Sequence, residues 1–539
     1  MKNIQNKIVS GCITALLLIC SSCMDDLNTK PEGTSLTTPD VAWQKAATYE
    51  ELVAKVYASM AVSGNNGPSG LVDIQGSDEG ETTFLRSYWN LQELTTDEAI
   101  CAWHDDGLDG LMFDKWTSSN RFTKLMYNRI SMTIAYCNEY LRQTTPEKLD
   151  QWEAAAKNNT ELTEPAVDDA LKAKVAVWRN EVRVIRAMNY YFLMDLYANV
   201  PFVTEEDPVS MDFYPEQRGR DFLFSWLEDE LKSLENHVPA KSEANYGMVN
   251  NPTIWMILAK MYLNAEVYTG TKHYTEAITY LNKIIAAGYT LDPVYKNMFG
   301  ADNDKSPEII FPIMFDGINL TCYGGTTYLM AASYKSDMDP EKNFGLNQAW
   351  QGLRAKESLS SLFGDGDKRA LFWTKDRTME CPDLYDFNSG WSVVKYTNKT
   401  STGQIGSNPA FPDTDFPLFR LADAYLMYAE AVLRGGEGGA RANALNYVNE
   451  LRTRAGVAKI NDYDLKLDFI LDERARELYW EGHRRTDLIR FNKFTSDYRW
   501  PWKNGVYFGT ATISDKYKLF PIPVTELSAN PNMKQNTGY

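Results

Sequence analysis

The stretch TIWMILAKMYLNAEVYTGTKHYTEAITYLNKIIAAG, residues 253–288, decides the fold. Apolar residues recur at three- and four-residue intervals on both sides of Gly270, the period of one helix face. Gly270 breaks the run and Gly288 ends it, where glycine tolerates the left-handed backbone of a helix terminus. The spacing predicts a helix, a turn and a second helix. LADAYLMYAEAVLRGGEGGARANALNYVNELRTRAG, residues 421–456, repeats that plan. Tyr262 is followed 15 positions later by Ala277, and Tyr428 is followed 16 later by Ala444. A ring on one helix facing a small residue on the next is the packing logic of tetratricopeptide-like hairpins. The loops here exceed those of a strict repeat of about 34 residues.

Working outward, NEVRVIRAMNYYFLMDLYANVP (180–201) sets Val184, Ala187, Tyr191, Met194 and Tyr197 on a helical period. Residues 221–234 supply an amphipathic partner with Phe222, Trp226, Leu227 and Leu231. A further helix is expected over Tyr49–Met60. Residues 61–82 read as loop from their Gly, Ser and Asn content. Residues 290–415 are rich in Gly, Asp, Asn, Tyr and Pro and carry little helical period. So long a stretch is better read as an irregular subdomain on a helical frame than as bare loop, and binding residues belong on such loops. The fold class is therefore mainly α. Tetratricopeptide-like hairpins carry a loop-rich, irregular segment around 290–415, read as a single domain over 43–539.

The 539 residues include 72 acidic against 55 basic side chains, a formal charge of −17. Such a surface repels a phosphate backbone, so nucleic acid is not an expected partner. Lys2 and Lys7 precede a short apolar run, Ile8–Cys20, which reads with them as a signal peptide over 1–22. No other run approaches the roughly 18 apolar residues of a membrane span. Cys20-Ser21-Ser22-Cys23 puts small residues before a cysteine at the end of that run and resembles a bacterial lipobox, which implies lipidation of Cys23; a plain secretory signal is the alternative. Acyl chains on Cys23 would anchor the chain to a membrane, at about 0.8 kcal/mol per buried methylene. Residues 23–42 are polar, with Pro31, Gly33 and Pro39, and read as a tether. Cys101, Cys137, Cys322 and Cys381 are widely spaced with no C-x-x-C; two disulfides of unassigned pairing are open to them in an oxidising compartment, and buried free thiols are the expectation.

Several stretches look like chemistry and are better read as structure. EGHRRTDLIRF (481–491) holds Glu481, His483 and Asp487, but it is not H-E-x-x-H and the three share no helix face. Asp472 with Arg476, and Glu481 with Arg485, have the spacing of ion pairs on a charged helix. RGGEGGARA (434–442) lacks the Gly-Lys-Ser/Thr of a phosphate loop and reads as a hairpin turn. DNDK (302–305) and DGDK (365–368) bring carboxylates together without an EF-hand pattern; structural calcium is the one cofactor they leave open. The four histidines show no nucleophile spacing, so no catalytic residue is assigned. A glycosidase needs only two carboxylates about 5–10 Å apart, and the many acids leave that reading open.

Four separated motifs resemble one family in its own order. LDERARELYWEGHRRTDLIRF (471–491) and LFPIPVTELSANPNMKQNTGY (519–539) are the most specific. NEVRVIRAMNYYFLMDLYANVPFVTE (180–205) and RLADAYLMYAEAVLRG (420–435) match as well, as does the lipobox-like Cys23 with its tether. The chain is thereby identified as similar to the SusD/RagB family of outer-membrane nutrient-binding lipoproteins. The Met-Asp-Asp after Cys23 resembles the acidic export tag of surface lipoproteins in Bacteroidetes-type bacteria. The resemblance implies four helical hairpins under a loop-rich ligand half, an outer-membrane, cell-surface location and no enzymatic activity. It also implies binding of polysaccharide or oligosaccharide, and a SusC-like TonB-dependent transporter as partner. Some relatives are thought to take up peptides, which gives the alternative of a peptide-binding importer subunit.

Sugar rings present apolar C–H faces that stack on aromatics and polar edges that need hydrogen-bond partners. FLRSYWNLQELTTDEAICAWHDDG (84–107) offers both. Its Arg86, Trp103 and Asp106 look like the arginine, tryptophan and asparagine used by the starch-binding member of the family, with aspartate here in place of asparagine. TCYGGTTYLM (321–330) and NQAWQGLRA (347–355) look like the later aromatic loops and add Tyr323, Tyr328, Trp350 and Arg354. Trp89 and Trp116 are expected in the core. The expected ligand is a neutral polysaccharide, an α-glucan first.

Overall fold

The computed structural model describes residues 39–539 except 161, 163, 164, 243, 510 and 511. The signal peptide, Cys23 and the tether up to residue 38 lie outside the described residues.

The chain forms two compact units. Of the described residues, the first takes those within 39–51 and 146–172. In it the helix Pro146–Asn158 presents Asp150 and Glu153 to Lys172, at 2.6 Å each. Trp43 meets Tyr49 edge-on at 5.4 Å, and Tyr49 Oη donates to the Trp43 carbonyl at 2.7 Å.

The second unit takes residues 52–145 and 173–539. Its hairpins are those the periodicity predicts. Asn250 caps the helix Asn251–Leu263, its side chain accepting from Thr253 N at 3.0 Å. The short helix Ala265–Thr269 follows, then Gly270 at φ +74°, then the helix Tyr274–Ala286. The pair Leu421–Leu433 and Arg441–Ala455 packs on the preceding helix and stops at Gly456, φ +77°. Tyr262, Ala277, Tyr428 and Ala444 are all buried, as knobs and gaps must be. The 434–442 segment is a turn: Tyr428 Oη accepts from Ala440 N at 2.9 Å, and a Cβ on Gly436 would come within 2.7 Å of the Tyr274 carbonyl. Trp89 and Trp116 are core residues, and the four cysteines described are buried free thiols.

The 471–491 motif departs from its sequence reading. It is two helices, Leu467–Leu478 and Arg484–Arg490, broken by Trp480 at φ +66° and Gly482 at φ +76°. The expected pairs do not form. Arg476 turns to Glu473 at 2.7 Å, and Glu481 meets Lys395 and Arg420 at 2.6 Å each. Arg485 donates to the Tyr517 carbonyl at 3.0 Å and lies over Phe520. The physical reason is burial: Arg369, Arg420, Arg454, Lys395, Glu308, Glu473, Glu477 and Glu481 form one water-excluded network. Buried charges persist only when paired, so Glu481 takes the distant Lys395 and Arg420, while Arg476 keeps a local partner three positions away.

In each candidate calcium loop one carboxylate is engaged by the protein itself. Asp302 accepts from the backbone and the hydroxyl of Ser401 at 2.7 Å, and Asp367 pairs with Arg369 at 2.8 Å. Among the described residues no cluster of three or more metal-ligating side chains exists, and no helix is long and apolar enough to cross a membrane.

Candidate functional site

A short antiparallel ladder builds the site. Ala99–Cys101 pairs with Leu353–Ala355, and Ala102 N continues it to the Gly352 carbonyl at 2.9 Å. The pairing carries Trp103 to Trp350, where the indole N–H donates to the Trp350 carbonyl at 3.0 Å. Gly352 makes this fit: a Cβ there would lie 2.5 Å from Trp103 Cε2. A second close crossing brings Tyr323. Gly80, at φ +92°, packs on Gly324, and Thr83 Oγ1 donates to the Gly324 carbonyl at 2.9 Å. Tyr323 then tilts 50° from Trp350 at 6.2 Å between ring centroids.

These segments enclose a pocket of about 400 Å³ lined by Arg86, Trp103, Asp105, Tyr323, Gln348 and Trp350, with Ser69, Asp78 and Glu79 at its rim. That volume lies within the usual range for small-ligand sites. Arg86 is held by Asp78 through two bonds, at 2.9 and 3.1 Å, and its guanidinium lies 5.8 Å from the Trp103 ring. Burial opposes its charge, but the carboxylates of Asp78 and Glu81 favour it and help keep it cationic. Gln348 donates to the Ala410 carbonyl at 2.6 Å, which fixes its amide at the wall.

Of the residues singled out from sequence, Arg86, Trp103, Tyr323 and Trp350 meet at this pocket. Three do not line it. Tyr328 is 1% exposed; it donates to Asn90 Oδ1 at 2.7 Å and packs behind Trp103 and Arg86. Arg354 is 0% exposed and donates to the Gly352, Ser389 and Leu384 carbonyls at 3.2, 2.8 and 2.7 Å. Burial pushes its pKa down to about 10. Asp106 is exposed, and its neighbour Asp105 supplies the pocket carboxylate. The sequence reading missed Asp78, Glu79, Asp105 and Gln348. Alternation along an extended segment would have paired Trp103 with Asp105 rather than Asp106.

Helical hairpins carrying such a pocket define a class, and comparison with known proteins names it. The model of the SusD family matches residues 364–539. The starch-binding protein SusD of Bacteroides thetaiotaomicron is 31% identical over 100% of this chain and 99% of its own. The chain belongs to the SusD family. The SusD-like protein P25 of Formosa agariphila is 25% identical over 67% of this chain and 72% of its own. Among solved structures, surface glycan-binding protein A from Bacteroides thetaiotaomicron, in complex with laminarihexaose, superposes with a TM-score of 0.66. Its identity is 22%, over 91% of this chain and 99% of its own. A SusD superfamily protein from Parabacteroides distasonis gives a TM-score of 0.69 at 20% identity, over 92% and 99%. These two similarities carry the mainly helical fold.

Proposed function

We propose that this protein is a non-enzymatic, cell-surface glycan-binding protein that holds a neutral glycan in the Trp103–Tyr323–Trp350 pocket. The observation that carries this reading is the convergence of three half-buried rings, from three remote segments, on polar side chains at one opening. The rings offer stacking faces, and Asp105, Arg86 and Gln348 offer bonds to hydroxyls. Neutrality follows from charge. Asp78, Glu79 and Asp105 face one guanidinium, already paired with Asp78, so an anionic sugar meets net repulsion. An α-glucan is the first substrate, because the full-length relative at 31% identity is a starch-binding protein. Lipid anchoring through Cys23 at the outer membrane, and delivery to a SusC-like TonB-dependent transporter, complete the proposal on the strength of family membership.

Affinity electrophoresis tests it, through gels containing starch, pullulan, dextran, laminarin, inulin, xylan or mucin. Retardation by starch and pullulan is expected. Retardation by another glycan keeps the binding role and overturns the α-glucan. Mobility unchanged in every gel overturns glycan binding and favours the peptide reading.

A further inference from the structure

Trp103 and Asp105 line the pocket, whereas His104 between them does not. Its imidazole instead stacks on Tyr385, with ring centroids 3.9 Å apart and planes 27° from parallel. His104 is exposed, and Tyr385 is 40% exposed although it is part of a ring stack. Tyr385 Oη donates to the Asp109 carboxylate, 3.0 and 3.2 Å from its two oxygens.

The loop that carries Tyr385 is built rigidly. Asp383 Oδ1 accepts from Tyr385 N at 3.0 Å and from Asp386 N at 3.3 Å. Beneath it the buried Arg354 grips the Leu384 and Ser389 carbonyls and also the Gly352 carbonyl next to Trp103. One guanidinium therefore holds the Tyr385 loop and the floor of the first pocket together. An exposed ring fixed in advance loses little freedom when a ligand covers it.

We propose that His104 and Tyr385 form a second sugar-stacking site, separate from the pocket and joined to it through residues 103–105. The ligand class is a pyranose ring of the same neutral glycan. Its C–H face lies on the stacked rings, and Asp109 accepts from a hydroxyl at the edge. Asp105, Asp106, Asp383 and Asp386 in these two loops, with Asp109 in the short helix Leu108–Met112, repel anionic groups. A chain long enough to reach both sites is held twice, so the second site acts through effective concentration and favours polymer over short oligosaccharide. This rests on the glycan-binding reading above.

Titration calorimetry on the full-length protein tests it, with a short oligosaccharide and the intact polysaccharide of whichever glycan retards it. Tyr385→Ala and His104→Ala are expected to leave the oligosaccharide Kd within about twofold and to weaken polysaccharide binding about tenfold. Trp103→Ala is expected to lose the oligosaccharide. Unchanged binding of both ligands in Tyr385→Ala overturns the second site and leaves the pocket standing. Equal weakening of both also overturns it, since Tyr385 then belongs to the first site. Failure of the wild-type protein to bind any glycan overturns the glycan reading itself, and the second site with it. Thermal melts of both variants are expected to match wild type, because both side chains are exposed.

Discussion

The Trp103 indole N–H donates to the Trp350 carbonyl at 3.0 Å across 247 positions of chain. This bond holds the two indole-bearing segments together at one pocket, and Gly352 is the space that permits it. Trp103→Ala is expected to weaken glycan binding more than tenfold with little loss of stability, since the ring is half-buried. Gly352→Val is expected to weaken binding by a similar factor without touching a ring, because its side chain would occupy the Trp103 position. Calorimetry on both variants, with a melt of each, checks the pair. Undiminished affinity in Gly352→Val would show that the Trp103 pose is not the binding pose.

Tyr328 separates packing from stacking. It is enclosed by Arg86, Trp103 and Asn90, at 4.8 Å from the Arg86 guanidinium to its ring. Tyr328→Ala is expected to cost about 3–5 kcal/mol in denaturant unfolding, the usual cost of removing a buried ring. Tyr328→Phe keeps the ring and loses the Asn90 bond, at a cost of about 1 kcal/mol. Its glycan affinity is expected within about twofold of wild type. A tenfold loss in Tyr328→Phe would place the hydroxyl in the binding site after all.

Arg354 is a structural clamp rather than a sugar-edge donor. Arg354→Met retains volume and removes the donors, leaving buried carbonyls on Gly352, Ser389 and Leu384 without their partner. Orphaned buried groups cost about 1–3 kcal/mol each, so a loss of several kcal/mol is expected. Hydrogen exchange is expected to speed up in residues 383–389 first. Unchanged stability would mean that water replaces the guanidinium freely.

The helical frame was legible because helix periodicity is a local signal, and 253–288 and 421–456 carry it with glycine stops at Gly270 and Gly456. Four of the seven candidates, Arg86, Trp103, Tyr323 and Trp350, meet at one pocket. What failed depends on long-range contact. Arg354 and Tyr328 stand in loop text beside true pocket residues, and only the fold reveals that 0% and 1% of each is exposed. Of the expected 471–491 ion pairs, Glu481 with Arg485 failed for the same reason. Local spacing suggested i,i+4 partners, while burial drew Glu481 to Lys395 and Arg420. Asp105 rather than Asp106 lines the pocket, and residue alternation after Trp103 points to it.

Asp415 should leave a signature in the pH dependence of stability. It is buried, accepts from Phe315 N and Tyr246 Oη at 2.8 Å each, and has Asp304 and Asp316 nearby. Burial pushes its pKa up to about 7; the Phe315 and Tyr246 bonds pull it back only in part. The folded protein thus binds this proton more tightly than the unfolded chain, whose carboxyl titrates near 4. Its contribution is complete below about pH 4 and is lost as the pH rises through about 7, a change of roughly 4 kcal/mol in the limit. Asp415→Asn cannot ionise and keeps an acceptor for Phe315 N. The difference in unfolding free energy, variant minus wild type, is therefore expected to move in favour of the variant between pH 4 and 8. Urea unfolding at unit pH steps measures it. A difference that stays flat across that window would mean that Asp415 is ionised in the folded state at all of those pH values, with its charge compensated by groups other than Phe315 and Tyr246.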